Sequence, residues 1–164
     1  MLTMTDLSHF DENGASRMVN VGAKPSTHRM ARAQGLIRMQ RETLEKIRNQ
    51  GIGKGNVLEV ARLAGIMASK KTDQLIPLCH SLPLSGVTID FEFASADSLR
   101  VESRVETTAQ TGVEMEALTA VSIAALTVYD MVKSVDRGIQ ISDIHLVEKK
   151  GGKSGHYLHP KSGS

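Results

Sequence analysis

The segment Thr111–Lys133 limits the folds open to this chain more than any other part of the sequence. It has the composition of a single helix, and between Ala117 and Tyr129 it carries no charged residue on any face. A helix at a protein surface keeps a polar stripe, and a helix without one is buried nearly all round. The charged residues of the segment therefore lie at its two ends: Glu114, Glu116, Asp130 and Lys133.

The two charged ends admit two interpretations. Ionisable groups at the point where a buried helix emerges often have shifted pKa values and take part in chemistry. A core helix with solvated ends would show the same pattern. Asp130 and Lys133 are three residues apart, which suits an acid and base pair. It equally suits a surface ion pair that contributes well under about 1 kcal/mol, and the pattern alone leaves both open.

Length and composition indicate one domain, or two small ones at most, since 164 residues allow a sizeable core. The formal net charge of +2 is too small to indicate a nucleic-acid partner, although the isoelectric point is about 8.8. No run reaches the roughly 18 apolar residues that span a membrane. The polar, acidic N-terminus is unlike a signal peptide, so the expectation is a soluble cytoplasmic protein without a membrane partner.

Hydrophobic periodicity predicts the element order β-α-α-β-β-α-β. The expected strands are Met30–Met39, Gly86–Ala94, Leu99–Thr107 and Ile139–Val147, and the expected helices are Thr43–Asn49, Val57–Lys70 and Gly112–Val135. This order is close to the ferredoxin-like arrangement, an α+β fold in which an antiparallel sheet carries helices on one face. Because the far side of the long helix is also apolar and offers small residues, we expect an obligate oligomer.

The two ends of the chain differ in composition from its body. Residues 1–16 are expected to form a flexible arm, residues 17–150 a single domain, and residues 151–164 a flexible tail rich in glycine and lysine. The tail begins with Gly151-Gly-Lys-Ser154, but Val147 stands where a nucleotide-hydrolase P-loop needs its first glycine. A solvated basic tail and a tail that closes over phosphates both fit.

Two further segments suggest ligand contacts. Gly51–Gly55 (GIGKG) leads through a good N-cap, Asn56, into a helix N-terminus, where Lys54 would favour an anion. An ordinary glycine-rich turn is the alternative. Cys79 is the only cysteine, which excludes an internal disulfide, and its side chain diverges from that of His80, which argues against a Cys-His nucleophile pair. No metal site is assigned, because the histidines show no ligand spacing, and His80 fits either a loop histidine or a donor to a polar ligand.

Several long segments occur in an order typical of one family. They are GKGNV (53–57), RLAGIMASKKT (62–72), LIPLCH (75–80), TGVEMEALTA (111–120), AALTVYDMVK (124–133) and GGKSG (151–155). From about Asp6 to Gly155 the chain resembles the molybdenum cofactor biosynthesis protein C family, the cyclic pyranopterin monophosphate synthases.

The resemblance implies a lyase that acts on (8S)-3′,8-cyclo-7,8-dihydroguanosine 5′-triphosphate. The products would be cyclic pyranopterin monophosphate and diphosphate. It implies a homo-hexamer, a trimer of dimers, with active sites at subunit interfaces. No cofactor is firmly implied, and Mg²⁺ held by the triphosphate is compatible with the chemistry. The resemblance assigns catalysis to Asp130 and Lys133, and substrate binding to Lys54, Leu78, Cys79, His80, Glu114, Met115, Glu116 and Lys149.

Two departures from the family pattern keep another hypothesis open. Asn20 stands where many relatives have aspartate, and Ser81 stands where proline is common. A weakened relative that binds the nucleotide without turning it over is therefore an alternative. A basic nucleic-acid binder is a third hypothesis, and the scarcity of aromatic residues argues against it.

Helix geometry adds one expectation about the two charged ends. Glu116 and Asp130 would lie roughly 21 Å apart along a straight helix. One reacting centre cannot touch both residues at that distance. If both serve the same chemistry, they must come from different subunits.

Overall fold

The structure is a computed structural model that describes residues 7–50 and 56–160. The described elements are β1 (Thr27–Arg38), α1 (Arg41–Arg48), α2 (Val57–Ser69), α3 (Thr72–Leu75), β2 (Leu84–Phe93), β3 (Ser98–Ala109), α4 (Glu114–Val132), β4 (Gln140–Lys150) and β5 (Tyr157–Leu158). All neighbouring strands pair antiparallel, in the sheet order β2-β3-β1-β4-β5. Helix α4 packs on the three central strands, and α2 packs on α4 and β2.

This architecture confirms the ferredoxin-like prediction. The order β2-β3-β1-β4 with two helices on one face is the split βαβ arrangement. All of the predicted strands and helices are present, with boundaries shifted by up to three residues. The sequence prediction missed α3 and β5, both of which are too short to show a periodic pattern.

The two faces of the sheet differ in chemistry because strand residues alternate in direction. On β3, Val101, Ser103 and Val105 are fully buried under the helices. The opposite face carries ion pairs. Arg32 donates from Nε to Glu102 Oε1 at 2.9 Å and from Nη1 to Glu148 Oε2 at 2.8 Å. The sheet therefore keeps one apolar face for its helices and one charged face.

Helices α2 and α4 approach each other closely at Gly65. A Cβ atom added to Gly65 would lie 2.8 Å from the carbonyl oxygen of Ala120 and 3.2 Å from Cβ of Ala124. No side chain fits in that space, so glycine is required there. The predicted N-cap of α2 is confirmed, since Asn56 Oδ1 accepts a hydrogen bond from the backbone N–H of Glu59 at 3.2 Å.

Helix α4 is buried on the sides that face the sheet and α2, and it is exposed on its far side. Ala117, Val121 and Val128 are fully buried, whereas Leu126 is 54% exposed. The single chain therefore covers only part of the helix, and the cover expected for its far side from another subunit stays a prediction. By length and composition α4 could cross a membrane, but a core helix passes the same test, and half of its apolar window is buried in the fold.

Both ends of the described chain are hydrogen bonded. Residues Leu7–Arg17, named here the N-terminal hairpin, form a turn closed by a bridge between Phe10 and Ser16. Near the other end, Tyr157–Leu158 pairs with β4. The division of the chain into arm, domain and tail stays a prediction.

Candidate active site

A cavity of about 740 Å³ lies beside the start of α4. Its walls come from the residues before β1, from the loop between α3 and β2, and from the first turn of α4. It is lined by most of the residues that the sequence assigned to substrate binding: Leu78, Cys79, His80, Glu114, Met115 and Glu116. The fold thus brings together two segments that are distant in the sequence.

Glu116 is the most deeply buried charged group in the wall of this cavity. Its exposed fraction is 3%, and Oε1 lies 3.9 Å from Sγ of Cys79. Oε2 is also buried, and no described residue offers it a hydrogen bond. Burial raises the pKa of Glu116 to about 7, and the neighbouring Glu114 adds to the rise. This carboxyl group can therefore take up or release a proton near neutral pH.

Cys79 faces Glu116 as a thiol. Burial raises its pKa to about 11, and the negative charge of Glu116 contributes further. A thiol in this state is a weak nucleophile at neutral pH. The structure therefore supports a role for Cys79 in packing and in hydrogen bonding to Glu116.

The orientation of His80 is fixed by the chain before β1. His80 Nε2 lies 2.6 Å from the carbonyl oxygen of Val19. A carbonyl oxygen can only accept, so Nε2 must carry the proton. Val19 was not predicted as a site residue, because its contribution comes from the backbone and leaves no mark on residue type.

An ion pair joins the start of α4 to the sheet. Lys149 on β4 donates to Glu114 Oε1 at 2.6 Å, and both side chains are about three-quarters buried. The sequence assigned both residues to substrate binding, and the structure places them in contact. Lys149 thereby brings a positive charge next to the acidic edge of the cavity.

A second cavity of about 420 Å³ is lined by cationic and small residues. Lys24 lines both cavities, which makes them neighbours. Arg29 in its wall is buried and donates to the carbonyl oxygens of Ala109, at 2.9 Å, and Gln110, at 3.1 Å. The complete lining is Lys24, Pro25, Thr27, Arg29, Gly152, Lys153 and Ser154.

The glycines that follow β4 allow the chain to pass close to Arg29. Gly152 has φ +76°, and a Cβ atom there would collide with the guanidinium group. Sequence reasoning identified the Gly151–Gly155 segment but not Arg29 or Lys24. Arg29 lies one residue before the predicted start of β1, and no pattern in the sequence distinguishes it from the other arginines of this strand.

Asp130 and Lys133 lie at the opposite end of α4, outside both cavities. Lys133 Nζ donates to Asp130 Oδ1 at 2.7 Å, and both side chains are more than half exposed. The hydrogen bond to Asp130 raises the pKa of Lys133. The continuous helix separates this pair from Glu116 by roughly 21 Å. Lys54 lies outside the described residues.

Comparison with known proteins identifies the family. The family model described as "MoaC family" matches residues 18–152. The chain belongs to the MoaC family. A protein of Heliobacterium modesticaldum named cyclic pyranopterin monophosphate synthase is 58% identical over 156 residues, which cover 94% of this chain and 98% of the relative. Relatives of the same name from Desulfitobacterium hafniense and Thermomicrobium roseum are 55% and 57% identical, cover 93% of this chain, and are themselves covered over 94% and 92% of their lengths.

Membership of the MoaC family confirms the resemblance found in the sequence motifs. It also gives context to the departure at position 20. Asn20 Oδ1 accepts a hydrogen bond from the backbone N–H of Gly22 at 2.9 Å. A carboxylate oxygen would accept the same bond, and among the described residues no lysine side chain is hydrogen bonded to Asn20. The asparagine therefore preserves the turn that an aspartate would form.

Proposed function

We propose that this chain is a cyclic pyranopterin monophosphate synthase of molybdenum cofactor biosynthesis that works in the cytoplasm. It would convert (8S)-3′,8-cyclo-7,8-dihydroguanosine 5′-triphosphate to cyclic pyranopterin monophosphate and diphosphate. The activity of a lyase follows from the family and from the shared name of the relatives. The roles of the cavity residues are proposed from the geometry of the site, and those of Asp130, Lys133 and Lys54 from the family resemblance.

The pairing of an acidic cavity with a basic one carries this proposal. Glu114 and Glu116 can accept hydrogen bonds from the N–H edge of a purine-derived ring. Lys24, Arg29 and Lys153 in the second cavity can bind phosphate oxygens. A cyclised guanosine triphosphate has both kinds of group, one at each end. Lys24 lines both cavities and would lie between the ring end and the phosphate end of the bound nucleotide.

The chemistry needs repeated proton transfers and stabilisation of a leaving diphosphate. With its pKa of about 7, Glu116 suits proton transfer near neutral pH, and the thiol of Cys79 would hold one of its oxygens in place. Cations beside the phosphates would stabilise the charge that develops on the departing diphosphate. We assign Asp130 and Lys133 to acid and base catalysis, with Lys54 and Lys149 as substrate-binding cations.

The separation within α4 requires a second subunit in each site. Asp130 lies roughly 21 Å from Glu116, so the two residues can share a pocket only across an interface. The outer sides of α2 and α4 expose large apolar residues that would suit such an interface, namely Val60, Leu63, Met67 and Leu126. We propose a homo-hexamer, a trimer of dimers, with composite active sites.

Turnover of the cyclised nucleotide tests the proposed function. Purified protein is incubated with (8S)-3′,8-cyclo-7,8-dihydroguanosine 5′-triphosphate, and cyclic pyranopterin monophosphate and diphosphate are quantified. The proposal expects the two products in equal amounts. Tight binding without products would overturn it in favour of a weakened relative.

The composite site is tested by introducing a charged residue into the exposed apolar surface of α2 and α4. Leu63→Glu and Leu126→Glu should each dissociate the oligomer, as measured by analytical ultracentrifugation, and should abolish turnover with it. Leu158→Glu is the matched control, because Leu158 is 61% exposed but lies on β5, away from the helices. A wild-type monomer at micromolar concentration that turns over substrate would contradict the composite site.

A further inference from the structure

The N-terminal hairpin is a self-contained unit. The carboxylate of Asp11 accepts hydrogen bonds from the backbone N–H groups of Asn13 and Ala15, both at 2.9 Å. Arg17 donates from its backbone N–H to the carbonyl of His9 at 2.8 Å, and from Nε to the carbonyl of Ser8 at 3.4 Å. The hairpin therefore satisfies its polar groups locally and can keep its shape without support from the sheet.

This hairpin forms a wall of the larger cavity without being bonded to the rest of that cavity. Ser8, His9 and Ser16 line the cavity beside the loop after α3 and the first turn of α4. Within the described residues, no hydrogen bond or ion pair joins Leu7–Arg17 to the body of the protein. The first anchors come later, where Val19 binds His80 and where Gly22 accepts from Gln110 at 3.2 Å.

A preformed wall that has no hydrogen bond or ion pair to the described body of the protein can move as a unit. Local units with few bonds to the core open at low free-energy cost, and active-site lids are drawn from such units. Two large apolar residues of the hairpin, Leu7 and Phe10, also remain exposed. A ligand that contacted both the hairpin and the loop at Cys79 would hold the wall in place.

We propose that the N-terminal hairpin is a lid over the active site and that His9 binds the substrate when the lid is closed. This inference rests on the proposed function. The hairpin borders the cavity that contains Glu114 and Glu116, so His9 would contact the ring end of the nucleotide and not its phosphates. An imidazole can donate to or accept from the ring edge. Closure would also exclude water from the proton transfers.

Steady-state kinetics with the cyclised nucleotide tests the role of His9. His9→Ala should raise KM about tenfold, the loss expected for one hydrogen bond to a ligand, and should change kcat much less. His9→Gln, which keeps a donor and an acceptor, should recover part of the loss. Inhibition by inorganic diphosphate should be the same in wild type and His9→Ala, because the phosphate end lies in the other cavity.

His145→Ala is the matched control. His145 pairs with Gln34 in the sheet and lines neither cavity, so its loss should leave KM unchanged. An unchanged KM in His9→Ala, in a protein that turns over substrate normally, would overturn the lid while leaving the proposed function intact. If the wild type itself gives no product, the proposed function fails and this inference fails with it.

Hydrogen exchange on the wild-type protein provides a test that needs no variant. The amides of residues 8–17 should exchange more slowly with saturating cyclic pyranopterin monophosphate than in the free protein, because a ligand that holds the hairpin in place also suppresses its local opening. Diphosphate alone should give no protection there. Equal exchange with and without the pyranopterin product would overturn the lid.

Discussion

The two ends of α4 carry similar residues in different surroundings. At the start of the helix, Glu116 is 3% exposed, contacts a thiol, and has its pKa raised to about 7 by burial. At the other end, Asp130 and Lys133 form an exposed ion pair three residues apart. A single chain thus builds a protected environment around one end and leaves the other in solvent.

This contrast separates two ways in which a charged residue can serve a site. Glu116 has its pKa shifted by its own chain, before any partner is added. Asp130 and Lys133 would acquire a protected environment only when another subunit covers them. The contrast therefore predicts that folding alone prepares one half of the pocket and assembly prepares the other.

The largest expected effect is the loss of Asp130. Asp130→Asn should lower kcat by about 10²- to 10⁴-fold, the range for removal of a general acid or base. The oligomer should persist in analytical ultracentrifugation, since the exposed carboxylate is replaced by a group of the same size. The measurement is the rate of diphosphate release from the cyclised nucleotide.

Glu45→Gln is the control for that variant, because Glu45 also forms an exposed ion pair on a helix, with Arg41 at 3.3 Å. Its kcat should equal that of the wild type. Normal turnover in Asp130→Asn would remove Asp130 from the mechanism and with it the need for a composite site.

Mixing two inactive variants should restore activity. If Glu116 and Asp130 meet across an interface, subunits of Glu116→Gln and Asp130→Asn refolded together in equal amounts should form intact pockets in roughly a quarter of the interfaces by random pairing. The diphosphate release rate should therefore reach about a quarter of the wild-type rate. Activity no higher than that of the separate variants would mean that each pocket draws both residues from one subunit or needs only one of them.

The next largest effect is expected in the pH dependence of the free energy of unfolding, through Glu116. Because the pKa of Glu116 is raised from 4.5 to about 7, the folded protein holds a proton that the unfolded chain releases. Stability from this group is therefore present below about pH 4.5 and is lost as the pH rises to about 7, by roughly 3 kcal/mol in total. Glu116→Gln should abolish this loss, so the variant should be more stable than wild type at pH 8 and similar at pH 4.5.

Urea unfolding at fixed protein concentration measures that difference. Thr119→Val is the control, since Thr119 is a buried polar residue on the same helix without a titratable group. Its difference from wild type should not vary with pH. Parallel pH curves for Glu116→Gln and wild type would contradict the shifted pKa.

The smallest effect is expected at Cys79. Since its pKa is raised to about 11, the thiol should react slowly with iodoacetamide at pH 7 to 8 and should not show half-maximal thiolate reactivity until the pH approaches that value. Cys79→Ser should keep turnover within about tenfold, because a hydroxyl can replace the thiol as a donor to Glu116. Rapid alkylation at neutral pH would instead mark Cys79 as a thiolate.

Most of the fold could be predicted because its signals are local. Alternation along β2 and β3, the cap at Asn56 and the uncharged stretch of α4 each depend on neighbouring residues. The site was harder to predict from the sequence, because its contacts join distant parts of the chain. The bond between Cys79 and Glu116 spans 37 positions, and Arg29 reaches a carbonyl 80 positions away. The family motifs named most of the cavity residues, whereas Val19, Lys24 and Arg29 emerged only from the packing.

In the proposed hexamer, the uninterrupted length of α4 would make this helix a spacer between neighbouring pockets. If each end supplies half of a different pocket, the distance from one pocket to the next is set by the number of residues between Glu116 and Asp130. One inserted residue would advance Asp130 by about 1.5 Å and turn it by about 100° around the axis, out of register with its partner subunit. The helix would still form, yet every pocket would be misaligned. A composite site would therefore constrain the stretch Ala117–Tyr129 in length as strictly as in polarity.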